Sequence, residues 1–268
     1  MRLGSSHGRS PVAPMLPMPY PALAQAGLRL RRGQTSLTVA APGVGKSQLW
    51  QNFAHRMKVP ALVWSADTDQ SDVTIRSLAL HTGYTVAEVE EYLHDDTWRP
   101  FLFDRMGGRA DHIDWVYDSP ITARLLGERL KAFAMKFGAW PELVVLDNLS
   151  NAITNPADEY AEIRQVQSAA QQLARETRAH IAILHHAKGE YDSGTKPIPQ
   201  SGGLQNPFKI PEIGITLYRP DEDNRLAVNL VKQRGGTSDP AARHPVSLSI
   251  DFARASVLGF EPEKKEAA

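Results

Sequence analysis

Residues 35–57 limit the possible folds more than any other stretch. The run TSLTVA (35–40) reads as a short buried strand, the turn APGVG follows at once, and KSQLWQNFAHRM (46–57) reads as a helix. A strand that turns directly into a helix aims the backbone N–H groups of the turn and of the helix amino terminus into one small space, which suits phosphate oxygens. The stretch AAPGVGKS departs from the pattern G-x-x-x-x-G-K-[ST] at one place, Ala40, where the first glycine is expected. Ala40 ends the strand, and alanine serves there if its φ stays negative. Gly43 and Gly45 let the backbone approach closely, Lys46 brings a point charge to the outer phosphates, and Ser47 offers a hydroxyl to Mg²⁺. The expected nucleotide cradle is therefore Ala41, Pro42, Gly43, Val44, Gly45, Lys46, Ser47 and Gln48, with ATP and Mg²⁺ as cofactors.

Downstream, strand-length apolar runs alternate with helical patterns, the texture of a mainly parallel sheet with crossover helices. Strands are expected at ALVWSA after Pro60, at Ile113–Tyr117, at Glu142–Leu146 closed by Asp147, and at His180–Leu184. Between them, Ser71 is read as the cap of a helix ending at Gly83, and Thr85 with Glu88 makes a capping box for another. Leu126, Leu130, Phe133 and Phe137 form one apolar stripe, and Asp158–Arg178 is a long helix with Ile163, Val166, Ala170 and Leu173 inward. The runs Ile213–Tyr218 and Leu226–Lys232 flank RPDEDN and predict an antiparallel hairpin at one end of the sheet, before a last strand, PVSLSID. The fold class is thus α/β. Residues 1–27, rich in Pro, Ala, Gly and Ser, read as a flexible leader, 28–254 as one ATPase-type domain and 255–268 as a frayed tail.

Composition excludes several chemistries. The chain has no cysteine, which removes disulfides, thiolate metal sites and cysteine nucleophiles together. With 30 basic and 30 acidic residues, nucleic acid would have to be held by a local basic patch. No apolar run approaches the roughly 20 residues that span a bilayer, so a cytoplasmic protein without membrane partners is expected.

A phosphate loop of this kind needs a carboxylate on a neighbouring strand end to hold hydrated Mg²⁺, and LVVLD supplies Asp147 beside Ser47. Hydrolysis also needs a group that activates water. WSADTDQ offers Asp67 and Asp69, either of which also suits a helix cap; alternation along the strand and proximity favour Asp67.

In this order the motifs resemble the RecA-type ATPase core of DnaB-like replicative helicases, over about Leu28 to Asp251. The elements read AAPGVGKS, SAD at 65–67, VVLD at 144–147, ILHH at 183–186 and NLVKQRGGT at 229–237. Asp67 stands where those helicases have glutamate. The sensor position, usually glutamine, is His185 or His186, similar to hexameric plasmid RepA-type helicases. Adjacent strand residues point to opposite faces, which argues against a metal held by both histidines.

Lys232 and Arg234, two apart on one strand face, resemble the paired finger element that completes the neighbouring subunit's ATP site. The resemblance implies a homo-oligomer, a hexameric ring or filament, expected to be weak or to depend on DNA because no helical domain is read before Leu28. Between His186 and Ile210 a Gly- and Pro-rich stretch with Lys188, Lys196 and Lys209 resembles the channel loop that tracks single-stranded DNA, with Tyr191 and Phe208 as stacking candidates. Phage origin, and with it the host cytoplasm, is implied as well. Two rivals remain at this point. One is a recombination mediator or loader that binds DNA with ATP without unwinding it. The other is a nuclease on a RecA-like scaffold, which Pro220-Asp221 with Lys232 supports poorly because Leu230 stands where a carboxylate is needed.

Overall fold

The computed structural model describes residues 13–152, 158–187, 189–203, 207–220 and 224–259. Strands β1 (Thr35–Ala40), β2 (Ala61–Ser65), β3 (Ile113–Val116), β4 (Leu143–Asp147), β5 (His180–His186) and β6 (Ile213–Tyr218) pair in parallel. Strands β7 (Arg225–Gln233), β8 (Val246–Asp251) and β9 (Ser256–Gly259) continue the sheet antiparallel, giving the order β3-β2-β4-β5-β1-β6-β7-β8-β9. The expected hairpin is β6–β7. The sheet extends beyond it through β9, so the tail expected from residue 255 is paired as far as Gly259.

Both faces of the central strands are covered and apolar residues point to both, while buried Thr38 and Ser36 are hydrogen-bonded, to Trp50 and His180. Helix α2 (Lys46–Met57) packs Leu49, Trp50 and Phe53 on one face, against Val63, Val145, Ala182 and Leu184. Helices α6 (Ala123–Phe137) and α7 (Glu159–Thr177) cover the other, where Leu126, Leu130, Phe133, Ile163, Val166 and Ala170 meet Leu37, Val39, Val144, Leu146, Ile181 and Ile183. Helices α3 (Gln70–Thr82), α4 (Val86–Leu93) and α5 (Trp98–Met106) form a small bundle of their own around Leu78, Val89 and Leu102. The Thr85–Glu88 capping box is present, whereas α3 is capped by Asp69, not Ser71: the Asp69 side chain accepts the Asp72 N–H at 2.9 Å.

The leader expected over residues 1–27 needs correction for its described part. Residues 13–27 are packed, with Leu16, Tyr20 and Leu23 in the same core as α2. Pro21 begins a short helix, α1 (Pro21–Gln25), at a position where its missing N–H costs nothing. Leu16 N–H donates to Leu30 O at 2.8 Å, and the Tyr20 ring meets Phe53 edge-on at 5.1 Å. Apolar anchors spread among prolines carry no period, which hides them from a periodicity reading.

Candidate nucleotide-binding site

The loop between β1 and α2 has the geometry its sequence requires. Its positive φ values fall on glycine, +74° at Gly43 and +113° at Gly45, while Ala40 ends the strand inside the core. Gly45 caps α2 without a side-chain hydrogen bond, so the first N–H groups of the helix remain available to an anion. A β-carbon at Gly45 would lie 2.5 Å from Ile250 Cδ1 and would push that side chain aside, but it is the φ that calls for glycine.

Ser65, at the end of β2, lies in register with Asp147 at the end of β4, and Ala40 with His186 at the end of β5. These strand ends gather the expected residues. Lys46 is buried, and its Nζ donates to the carbonyls of Ala40 and Ala41, each at 3.3 Å. Burial pushes its ammonium below the usual lysine range, against the opposing pull of Asp147 and Asp67. Asp147 is 7% exposed; burial raises its carboxyl above the usual range, while the Ser47 hydroxyl, which donates to it, and Lys46 act the other way. A desolvated lysine beside a desolvated carboxylate and a hydroxyl fits Mg²⁺ with bound phosphates. Among the described residues there is no group of three or more His, Asp or Glu able to hold a metal.

Asp67 reaches toward the turn after β4, where Asn148 and Asn151 both donate to its carboxylate. Asp69, as the cap of α3, is accounted for structurally. The two histidines divide. Ile181 and Ile183 pack on the α6–α7 side and Ala182 and Leu184 on the α2 side, so His185 falls with the former and His186 with the latter. Burial lowers the His186 imidazole below its usual range, helped by Lys46 and opposed by Asp67, so it shares their site; His185 is fully buried and is set aside as a sensor.

A pocket of about 330 Å³ lies beside the loop, lined by Gly43, Gly45, Lys46, Ser47, Arg76 and Phe252 among others. Gln48 lines it too, but its side-chain Nε2 is taken up by the carbonyls of Asp251 and Ser256, which ties α2 to the β8–β9 turn. Three residues here escape sequence reasoning. Arg76 follows Val73 by three on the buried stripe of α3, and a cation on such a stripe is the one available signal. Phe252, in the β8–β9 turn, and Arg219, whose guanidinium stands 5.0 Å from its ring, are brought together only by the tertiary fold.

Lys232 lies near the end of β7, and Arg234 falls just beyond the strand, in the turn that follows it. Lys232 Nζ donates to the carbonyls of Phe208 and Lys209, and Arg234 lies 4.0 Å from the Glu212 carboxylate. They stand at the opposite end of the sheet from the loop, since Gln233 pairs with Ile213, which pairs with Ser36 near the start of β1. Lys196 and Lys209 are exposed, and Lys188 and Asp221 lie outside the described residues. Phe208 is not a stacking residue: it is 1% exposed within the α6–α7 core, and Tyr191 packs against that same core. Aromatic residues in a glycine-rich segment look exposed from sequence, yet this segment folds back over the sheet, with Ile198 also fully buried.

Comparison with known proteins agrees with this geometry. A family model described as an AAA domain matches residues 23–190. The chain is 31% identical over 243 residues to the Gene 65 protein of Mycobacterium phage L5, covering 88% of this chain and 89% of that protein. It is 28% identical over 222 residues to the Gene 65 protein of Mycobacterium phage D29, covering 80% and 94%. A DnaB-like replicative helicase, solved in a study of its interactions with primase, superposes with a TM-score of 0.75 at 17% identity, over 92% of this chain and 62% of the helicase. A second solved structure, the ATPase domain of another protein, superposes with a TM-score of 0.72 at 16% identity, over 86% of each chain. At such identities the structural likeness establishes the fold. A family match that runs over more than half of the chain and through most of the nucleotide site settles the rest: this protein belongs to the AAA-domain family, with the RecA-like fold of DnaB-like helicase ATPase domains.

Proposed function

We propose that the chain is a phage-encoded, Mg²⁺-dependent ATPase of the host cytoplasm that works as a ring or filament and couples hydrolysis to movement along single-stranded DNA. The observation that carries this is the convergence of Lys46, Ser47, Asp147 and Asp67 at the ends of paired strands, behind a helix amino terminus open to phosphate. In this reading Ser47 and Asp147 hold Mg²⁺, the loop and Lys46 hold the phosphates, and Asp67 takes a proton from the attacking water. His186 faces the γ-phosphate position. Arg219 and Phe252 form a platform for the base.

Lys232 and Arg234 support assembly. Their level on the sheet is ~13 Å along the strands and ~10 Å across from the loop of the same subunit, taking the usual rise and strand spacing. Neither side chain spans that, which favours the reading in which they serve a neighbour's nucleotide. Lys232 also holds the carbonyls of residues 208 and 209, next to Lys209, which links the finger to the segment assigned to DNA.

The deciding experiment is the initial rate of Mg²⁺-ATP hydrolysis per subunit across protein concentrations, with and without single-stranded DNA, using Lys46→Ala as the blank. A rate that rises with both supports the proposal. A flat, DNA-indifferent rate would refute assembly and motor action, and no rate above the blank would refute the ATPase itself. Unwinding of a forked duplex separates a helicase from a loader that binds without unwinding.

A further inference from the structure

The turn after β4 holds an arrangement that nucleotide binding does not require. Asn151 N–H donates to Asn148 O at 3.1 Å, which closes a 3₁₀ turn over Leu149–Ala152. In such a turn residues three apart are eclipsed, so the carboxamides of Asn148 and Asn151 stand on one face. Both meet the same carboxylate. Asn148 Nδ2 donates to Asp67 Oδ2, and Asn151 Nδ2 donates to Asp67 Oδ1 at 2.6 Å. The Asn148 amide is fixed from its other end, because its Oδ1 accepts the Ser150 N–H at 2.8 Å and only Nδ2 is left to face Asp67.

We propose that Asn148 and Asn151 are positioning residues that grip the Asp67 carboxylate, one carboxamide on each oxygen, and aim it at the attacking water. The inference rests on the role proposed above for Asp67. Three features support it. An ionised carboxylate offers about four lone-pair sites, so two amide donors still leave one site on each oxygen for water. The grip joins the ends of β2 and β4, which are locked in register at Ser65 and Asp147, so it is built on rigid elements. Finally, Asn148 is 3% exposed, although Asp67 itself lies at the surface; a surface aspartate needs no buried amide to solvate it.

The test compares wild type with Asn151→Ala, Asn148→Ala, Asp67→Ala and the Asp67→Ala/Asn151→Ala double variant. Each is measured for Mg²⁺-ATP affinity, single-turnover hydrolysis and thermal melting. Misplacement of a catalytic group by about 1 Å costs up to about 100-fold, so Asn151→Ala is expected to slow hydrolysis about 10- to 100-fold. Its ATP affinity should stay within about twofold, and its effect should vanish once Asp67 is alanine. Asn148→Ala should behave alike, and Asn151→Asp, which sets a second carboxylate against the first, should be at least as slow. An Asn151→Ala variant at the wild-type rate, beside an inactive Asp67→Ala, overturns the grip and leaves the ATPase reading standing. An equal loss in the Asp67→Ala background also overturns it, because the asparagine would then act on the fold. Full activity in Asp67→Ala refutes the role of Asp67 itself and the grip with it.

Discussion

Two buried histidines make folding stability depend on mild acid, independently of any nucleotide. His55 on α2 is 4% exposed and uses both ring nitrogens: Nδ1 meets His81 Nε2 at 3.1 Å and Nε2 meets Ser77 Oγ at 3.2 Å. Burial, then the nearby His81, His112 and Arg56, push its imidazole down to about 3. His180, fully buried between Ser36 Oγ and Arg31 O, is pushed by burial down to about 4. The unfolded chain binds these protons near pH 6.5, the folded chain well below it, so both contributions are present above pH 6.5 and fade as the pH falls. At pH 5 each site has lost about 1.5 pH units of linkage, or about 2 kcal/mol at about 1.4 kcal/mol per unit. For a chain of this size that is roughly 4–8 °C in melting temperature per site. Asp147, raised by burial, contributes the opposite slope, so the wild-type profile alone does not isolate the histidines. The measurement is therefore denaturant unfolding of wild type, His55→Gln and His180→Asn at pH 7.5 and pH 5. The stability gap between each variant and wild type should shrink by about 2 kcal/mol at the lower pH. A gap that stays constant would mean that the imidazole protonates without leaving its hydrogen bonds, and the burial argument would be wrong.

Three further outcomes are expected. Lys46→Ala, with intact fingers, and Arg234→Ala, with an intact loop, should each be inactive alone, the latter by about 10³-fold or more, and mixing them should restore hydrolysis if the fingers act between subunits. Tyr20→Ala, which removes a 2%-exposed ring seated on Phe53, should cost about 3–4 kcal/mol in urea unfolding, whereas a leader free of the core would tolerate it. Phe252→Ala should raise the KM for ATP about tenfold with little change in kcat, since base stacking contributes roughly 1–2 kcal/mol; an unchanged KM would place the base elsewhere.

Local grammar explains what the sequence reveals. ALVWS and LVVLD declare themselves as strands because burial on both faces leaves few polar residues, TSLTVA because it is short and rich in β-branched residues, and the motifs at their ends follow from backbone geometry within a few residues. Asp67, Asp147, Ser47 and Lys46 are legible for that reason. Helix α5 is not: of its five large apolar residues only Leu102 is buried and Met106 partly so, while Trp98, Phe101 and Phe103 are each more than a third exposed, so no stripe exists to be read. The choice between His185 and His186 needs the faces of β5 to be known, and Arg76 and Phe252 reach the loop through contacts that skip dozens of residues.

Lys232 and Arg234 press the point further, because the role proposed for them lies outside a single subunit. The Arg234–Glu212 contact is 4.0 Å long and the arginine side chain 58% exposed, and an ion pair of that kind contributes at most about 1 kcal/mol. Glu212 is already satisfied without it, since the Thr35 N–H and hydroxyl and Gln171 all donate to its carboxylate. Withdrawing Arg234 therefore leaves no buried charge unpaired, so its guanidinium is available for the bidentate phosphate contacts that the proposed role asks of it. Lys232 differs, because burial lowers its ammonium below the usual range and the backbone carbonyls of residues 208 and 209 hold it. Moving it toward a neighbour must shift the carbonyls beside Lys209. In the proposed assembly, Arg234 is thus the finger free to leave its contact, and Lys232 the one whose movement would reach the segment proposed above to meet DNA.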